Sequence, residues 1–191
     1  MRSPDALFDA LLAELAEGGR LRPTGDDPLY YLVFEPGQMR AVRRALRAWT
    51  ARLDLDGWTV EVVSVADVLT RSLREHPRRP LWEQFERDPL DFEVHRKTLA
   101  SALGQGEAVQ GALLAAVERL RGAPKPILFV ADVEALHPYL RVGTIENGLQ
   151  GQLGRVSTVV LYPGRRIGES PIRFLGFYEP QTDYRATIIG G

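Results

Sequence analysis

The residues able to do chemistry in this chain sit mostly in turns after apolar runs. The first such turn reads Phe34-Glu35-Pro36-Gly37-Gln38-Met39. A loop that cradles phosphate needs closely spaced glycines, free backbone N–H groups and a lysine followed by serine or threonine. Here Glu35 repels phosphate, Pro36 removes a donor and no lysine stands nearby. The single Lys-Thr pair, Lys97-Thr98, follows Val94-His95-Arg96 without a glycine loop. Gly104 and Gly106 supply only the first half of a dinucleotide fingerprint, with no strand before them. Nucleotide binding through a standard loop is therefore excluded.

Asp132 and Glu134 follow the apolar run Ile127–Ala131, the place where nucleotide hydrolases hold magnesium. Such a carboxylate is useful only opposite bound phosphate, so these acids are expected to cap the next helical turn. His76, His95 and His137 are isolated, with no H-x-x-x-H or H-x-H pair to hold a metal. Gly168-Glu169-Ser170-Pro171 begins like a nucleophile elbow but lacks the second glycine. Asp26 and Asp27 lie in a polar loop. No catalytic constellation, cofactor or metal site is read from these residues.

The elements that would position these groups alternate between helix and strand. Ser3 and Pro4 open a first helix, with Leu7, Phe8, Leu11, Leu12 and Leu15 on one face and Gly18-Gly19 at its end. Leu29–Phe34 reads as a buried strand. Pro36-Gly37 then leads into a helix with Met39, Val42, Leu46, Trp49 and Leu53 on its inner face. Trp58–Val63 is a strand, and Ser64 caps a helix running towards Leu73. Breakers and scattered apolar residues over 74–104 predict a helical insertion packed on one domain spanning 1–191. Helix Gly106–Arg121, strand Ile127–Ala131, a short helix over 143–151 and strand Thr158–Tyr162 follow. Pro163-Gly164 is expected to stop that strand. A closing antiparallel hairpin is expected between Ile172–Tyr178 and Tyr184–Ile189, with its turn over Glu179–Asp183. This order predicts an α/β fold, a mainly parallel sheet flanked by helices with an antiparallel hairpin at its C-terminal end.

The chain has 191 residues, no cysteine and a formal net charge of −1, enough for one substantial core and without a strong overall field for DNA or anionic membrane. The lack of cysteine excludes thiolate zinc sites and cysteine nucleophiles. No apolar run is long enough to span a bilayer, and Asp5, Asp9, Glu14 and Glu17 interrupt any export signal. A cytoplasmic location without membrane contact is expected. Positive charge is almost all guanidinium, since Lys97 and Lys125 are the only lysines. Arg40, Arg43, Arg44, Arg47 and Arg52 form a stretch without an acid, and Arg155, Arg165, Arg166 and Arg173 a second. The first is a candidate phosphate-contacting surface, although codon usage produces the same skew with no function.

The last third carries a resemblance. Ile127–Arg141 (ILFVADVEALHPYLR), then Asn147-Gly148-Leu149, Val159–Gly164 (VVLYPG), Ile172–Tyr178 (IRFLGFY) and Tyr184-Arg185-Ala186 follow one another in an order that resembles the BrxB family of BREX phage-defence systems. The resemblance covers residues 125–189 clearly and Tyr30–Gly37 loosely, and leaves about 65–122 unmatched. It implies a non-catalytic subunit of a defence complex and a fold like that of nucleotide hydrolases that has lost its phosphate loop. The implied partners are a phosphatase-like PglZ protein, a DNA methyltransferase and a large ATPase. Arg141, Asn147, Tyr184 and Arg185 are candidate structural or partner-contact residues. Arg141 either ties the C-terminal elements together through buried hydrogen bonds or meets a partner. Leu175, Phe177 and Tyr178 form either core or an exposed aromatic docking surface. The alternative to a scaffold is a nucleic-acid-contacting subunit using Arg40, Arg43, Arg44 and Arg47.

Overall fold

The computed structural model describes residues 2–21, 27–85, 92–104, 106–168, 171–180, 182 and 184–191. Helix α1 (Pro4–Leu21) starts as its sequence dictates, with the Ser3 hydroxyl accepting the Ala6 N–H at 3.2 Å. It runs through Gly18 and Gly19 instead of ending there, because an interior glycine costs a helix only about 1 kcal/mol relative to alanine. Strand β1 (Leu29–Phe34) passes through a short 3₁₀ turn (Pro36–Gln38) into α2 (Met39–Leu55). Strand β2 (Thr59–Ser64) leads into α3 (Val65–Glu75), where the Ser64 hydroxyl accepts the Asp67 N–H at 3.2 Å. Helices α4 (Arg79–Phe85) and α5 (Phe92–Leu103) pack on α3. They are followed by α6 (Glu107–Leu120), β3 (Pro126–Ala131) and a 3₁₀ turn (Val133–Leu136). Helix α7 (Val142–Leu149) and strands β4 (Ser157–Arg166), β5 (Ile172–Phe174) and β6 (Thr187–Gly190) complete the chain. Among the described residues no helix is long and apolar enough to cross a membrane.

Five strands form a parallel sheet in the order β2-β3-β4-β1-β6, and β5 pairs antiparallel with the far end of β4. The central strands are apolar without interruption because both faces are covered. Tyr30, Leu32, Phe34, Ile127, Phe129, Val159 and Leu161 point towards α1 and α2. Leu29, Tyr31, Val33, Leu128, Val130, Val160 and Tyr162 point towards α3, α6 and α7. The chain moves one way across the sheet through α2 and returns through the helices of the opposite face, as a single crossover handedness requires. The inner face of α2 buries Val42, Leu46, Trp49 and Leu53, with Trp49 stacked on Phe8 of α1 at 5.0 Å.

Two expectations are corrected at the C-terminal end. Strand β4 does not stop at Pro163-Gly164 but continues to Arg166. Pro163 is the last residue in register with β1, opposite Phe34, and beyond it the strand changes partner, with Gly164 opposite Phe174 and Arg166 opposite Ile172. The Pro163 carbonyl accepts the Leu175 N–H at 2.8 Å, so the missing N–H falls where the strand is between partners. Gly164 allows a close approach, not a turn. A Cβ there would lie 2.8 Å from Tyr162 Cε1 and 3.0 Å from the Arg173 carbonyl. The hairpin, in turn, is made by β4 with β5, while Thr187–Gly190 joins the outer edge of β1 in parallel. Ile189 is buried under α1 in that position. Alternation of apolar residues marks a half-buried strand without naming its neighbour, so the pattern alone does not reveal this pairing. Gln181 and Asp183 of the expected turn lie outside the described residues.

A side-chain cluster does what the expected hairpin would have done. Tyr31 and Tyr162, from adjacent strands, stack at 4.9 Å, and the Tyr184 ring meets both edge-on at 5.5 and 6.3 Å. The Tyr184 hydroxyl donates to the Ile172 carbonyl at 3.0 Å, tying the segment before β6 to β5. Tyr31 donates to Glu146 of α7. Burial lifts the Glu146 carboxyl above its ordinary range, opposed by the Tyr31 hydrogen bond and by the charge of Arg185.

Two outcomes follow for stability. Gly164→Ala should destabilise the protein by about 1–3 kcal/mol, the usual cost of forcing atoms into a packed site, read as a lower urea midpoint. Glu146 binds its proton more tightly in the folded than in the unfolded chain, so folding loses stability as pH rises from 4.5, the ordinary carboxyl value, through the raised folded one. Glu146→Gln keeps an acceptor for Tyr31 and removes that titration. Its thermal midpoint relative to the unsubstituted protein should therefore improve as pH rises from 4.5 through that raised value; a difference that is flat or worsens over that rise would show that Glu146 is not strained by burial.

Candidate functional site

In open α/β sheets ligands bind beyond the carboxyl ends of strands, where neighbouring connections leave towards opposite faces. That point lies here between β1, which exits to α2 on one face, and β4, which exits to β5 on the other. Glu35 and Arg165 meet across it. The guanidinium donates from Nε to Oε1 at 3.1 Å and from Nη2 to Oε2 at 2.9 Å, a bidentate fork. Beside the pair, the Gln38 amide donates to the Arg2 carbonyl at 2.9 Å. An open depression of about 590 Å³ runs from there past Leu7, Gly164 and Gly191. The crest thus presents a neutralised ion pair where a phosphate loop would present a row of N–H donors. Both partners are solvent-accessible, at 34% for Glu35 and 64% for Arg165, so the pair contributes at most about 1 kcal/mol to stability.

Asp132 occupies the next crest position and does not cap the following turn as expected. Its backbone is left-handed, φ 58°, with no side-chain cap bond. The carboxylate accepts from the Ser64 hydroxyl at 2.6 Å and from Arg43 Nε at 2.8 Å. Arg43 Nη2 also lies 3.3 Å from Glu134. Burial, together with the nearby Asp132 charge, holds the Glu134 carboxyl above its ordinary range, opposed by its own backbone amide and Arg43. Asp132 therefore joins the ends of β2 and β3 to α2. The sequence gives no sign of this, because Ser64, Arg43 and Asp132 are far apart along the chain.

Arg43 is consequently committed to these acids, although the sequence places it on a free basic surface. Arg40, Arg44 and Arg47 remain on one exposed face of α2 at spacings of four and three, and none bonds a carboxylate among the described residues. Arg52 pairs with Asp9 at 3.1 Å and lies over the Phe8 ring. The remaining chemical candidates stay apart. His76 stacks on Trp82 and accepts the Arg78 N–H, His95 lies in α5, and Thr98 bonds the Val94 carbonyl within the same helix. Glu169, Ser170 and Asp26 lie outside the described residues. Among the described residues no three His, Asp or Glu gather as a metal-binding group.

The C-terminal candidates converge more closely. Leu175 is left-handed, φ 52°, a conformation that a bulky side chain rarely adopts. It is held by the bond from its N–H to Pro163 and followed by bonds from Gly176 to Arg173 and from Tyr178 to Phe174. The loop so fixed leaves Phe177 63% exposed. Phe177 stacks on Tyr178 at 4.9 Å, and the His137 ring stands edge-on to both at 5.2 and 5.3 Å while its Nδ1 hydrogen-bonds the Tyr178 hydroxyl. Arg141 is exposed beside Tyr178, at the start of α7, and its side chain makes no hydrogen bond among the described residues. The buried tie expected of it belongs to Tyr184. Asn147 is exposed on α7, and Arg185 is exposed facing Glu146. His137, isolated in the sequence, is the patch member that spacing does not reveal. Its partner Tyr178 is 41 residues away.

No curated protein and no solved structure matches this chain. The family described as BREX protein BrxB matches residues 65–189. The match takes in residues 65–122, which the motifs alone did not relate to the family, and excludes Tyr30–Gly37, which they related loosely. Some two thirds of the chain, from α3 into β6, is thereby accounted for, and the protein belongs to the BrxB family of BREX phage-defence components.

Proposed function

We propose that this BREX component is a non-catalytic, cytoplasmic adaptor that docks another protein of its system through the patch of Phe177, Tyr178 and His137, with Arg141 at its edge. The observation that carries this reading is the exposure of Phe177 on a loop whose backbone is strained and yet fixed by hydrogen bonds. Strained, over-determined backbone concentrates at functional sites, and aromatic residues with arginine dominate the energetic centres of protein interfaces. A presented ring on a rigid loop also loses little entropy on binding. The crest supports the absence of catalysis, since its charges are already spent on each other. The PglZ-type phosphatase-like protein is the first partner to test, followed by the methyltransferase and the large ATPase.

A second reading, nucleic-acid contact, is favoured by Arg40, Arg44 and Arg47, whose guanidiniums share one face of α2 without a bonded carboxylate among the described residues. The adaptor reading predicts that Phe177→Ala weakens capture of the PglZ-type protein about tenfold or more, measured by biolayer interferometry on the full chain. Binding by the intact protein that is indifferent to this substitution would sink the patch as the docking site. The arginine face is tested by titrating duplex DNA at low and high salt. Replacing Arg40, Arg44 and Arg47 together by glutamine should lower the slope of log affinity against log salt by about 2–3 if they contact phosphates. No binding at low salt removes that reading.

A further inference from the structure

The two outer strands of the sheet differ in how they are finished. On one side β6 is four residues long, ends at a left-handed Gly190 and buries Ile189 under α1. So short an edge offers little for another strand to pair with. On the other side β2 runs in unbroken register with β3, from Thr59 opposite Pro126 to Ser64 opposite Ala131, and no second strand joins it among the described residues. The Thr59 N–H is bonded on the β3 side, to the Pro124 and Lys125 carbonyls at 3.2 and 3.3 Å. Alternation along the strand then turns the N–H and C=O of Val60 and Val62, and the N–H of Ser64, away from the sheet. Native edges are usually blunted by lysine, proline or a bulge. The strand Thr59–Ser64 has none of these. Its one charged residue, Glu61, is held by Arg119 of α6, whose Nε donates to Oε1 at 3.1 Å. Val62 is 41% exposed.

We propose that β2 pairs antiparallel with β2 of a second copy of this chain, about a two-fold axis at Val62, so that two sheets become one. Outward backbone groups need a strand as their partner, and the pattern of this strand complements itself. In an antiparallel pair, residues whose backbone points at the partner oppose one another, which leaves Glu61, Val62 or Val63 at the centre. A centre at Glu61 sets two carboxylates directly opposite, which is destabilising. A centre at Val63 carries Val60 past the end of the partner strand, opposite α3. A centre at Val62 sets that residue against its copy, Val60 against Ser64 and Glu61 against Val63, with no like charges opposed. It also covers the exposed Val62 side chain. Pairing about a two-fold closes the assembly, whereas β2 laid on β6 would leave a free edge at each end and grow without limit. This edge is separate from the aromatic docking patch and does not depend on it.

The test uses the full chain, which has no cysteine of its own, so a single introduced thiol reports on its copy. Facing Cα atoms of a hydrogen-bonded antiparallel pair are about 5.5 Å apart, within reach of a disulfide. Val62→Cys should therefore cross-link two copies under mild oxidation. Leu55→Cys should not, although Leu55 is 89% exposed just before β2. Sedimentation velocity of the unsubstituted chain should show a dimer. Val62→Lys opposes two charges on the axis and should weaken that dimer about tenfold or more, with the thermal midpoint showing that the variant folds. The cysteine comparison decides alone where Val62→Lys does not fold. A chain that stays monomeric at about 100 µM, a dimer indifferent to Val62→Lys, or cross-linking as fast at position 55 as at 62 would overturn the proposal. Phe177→Ala should leave the dimer intact while reducing capture of the partner protein, and loss of the dimer in that variant counts against the β2 edge. Failure of the edge and failure of the docking patch are thus read separately.

Discussion

The C-terminal third depends on one close approach, at Gly164. Strand β4 leaves β1 at Pro163 and takes up β5 one residue later, and it does so without bending away because nothing occupies the Cβ position between the Tyr162 ring and the Arg173 carbonyl. Packing at that density leaves no slack for an added methyl. With the approach made, β5 lies under the Tyr162 ring, the Pro163 carbonyl is free to hold Leu175, and the loop after β5 is obliged to carry Phe177 outward. The same arrangement brings the Ile172 carbonyl within reach of Tyr184, so the last strand can be led back to β1.

The crest of the sheet, where such an architecture usually binds ligands, carries two ion pairs. Glu35 and Asp132 are acids at the ends of neighbouring parts of the sheet, and each is met by a guanidinium from elsewhere in the chain, Arg165 and Arg43. Acids so placed could serve a cation bridging to phosphate, but the arginines already neutralise them, and the loop between β1 and α2 has a proline where a donor would be needed. The two pairs contribute little individually to stability, since their arginines stay exposed.

The elements of the fold were legible in the sequence where periodicity and punctuation agree. The helix of Val42, Leu46, Trp49 and Leu53, the caps at Ser3 and Ser64, and the doubly buried strands at 29–34 and 127–131 are local signals, and the folded chain has them. Partner choice was not legible. Nothing local tells Ile189 that its neighbour is Leu32 and not Phe174, or tells Pro163-Gly164 that the strand must go on. The candidate residues divide in the same way. Tyr184 and Arg141 stand out as polar groups near strand ends, but which of them is buried and bonded depends on contacts between segments. The links from Arg43 to Asp132 and from His137 to Tyr178 span 89 and 41 residues, and no spacing rule reaches that far.

The extent of the family match bears on which surface matters. Residues 65–189 contain β3, β4, β5, the five helices α3 to α7 and nearly all of β6, but not α1, β1, α2 or β2. The loop of Leu175 to Tyr178, His137 and Arg141 all lie inside that span, whereas Arg40, Arg44 and Arg47 lie outside it. The arginine face of α2 lies outside the matched span, and the aromatic loop, whose backbone is fixed by hydrogen bonds, lies inside it. The bonds that fix that loop follow from the change of partner along β4, because the Pro163 carbonyl, the last of the strand in register with β1, is the acceptor that holds Leu175.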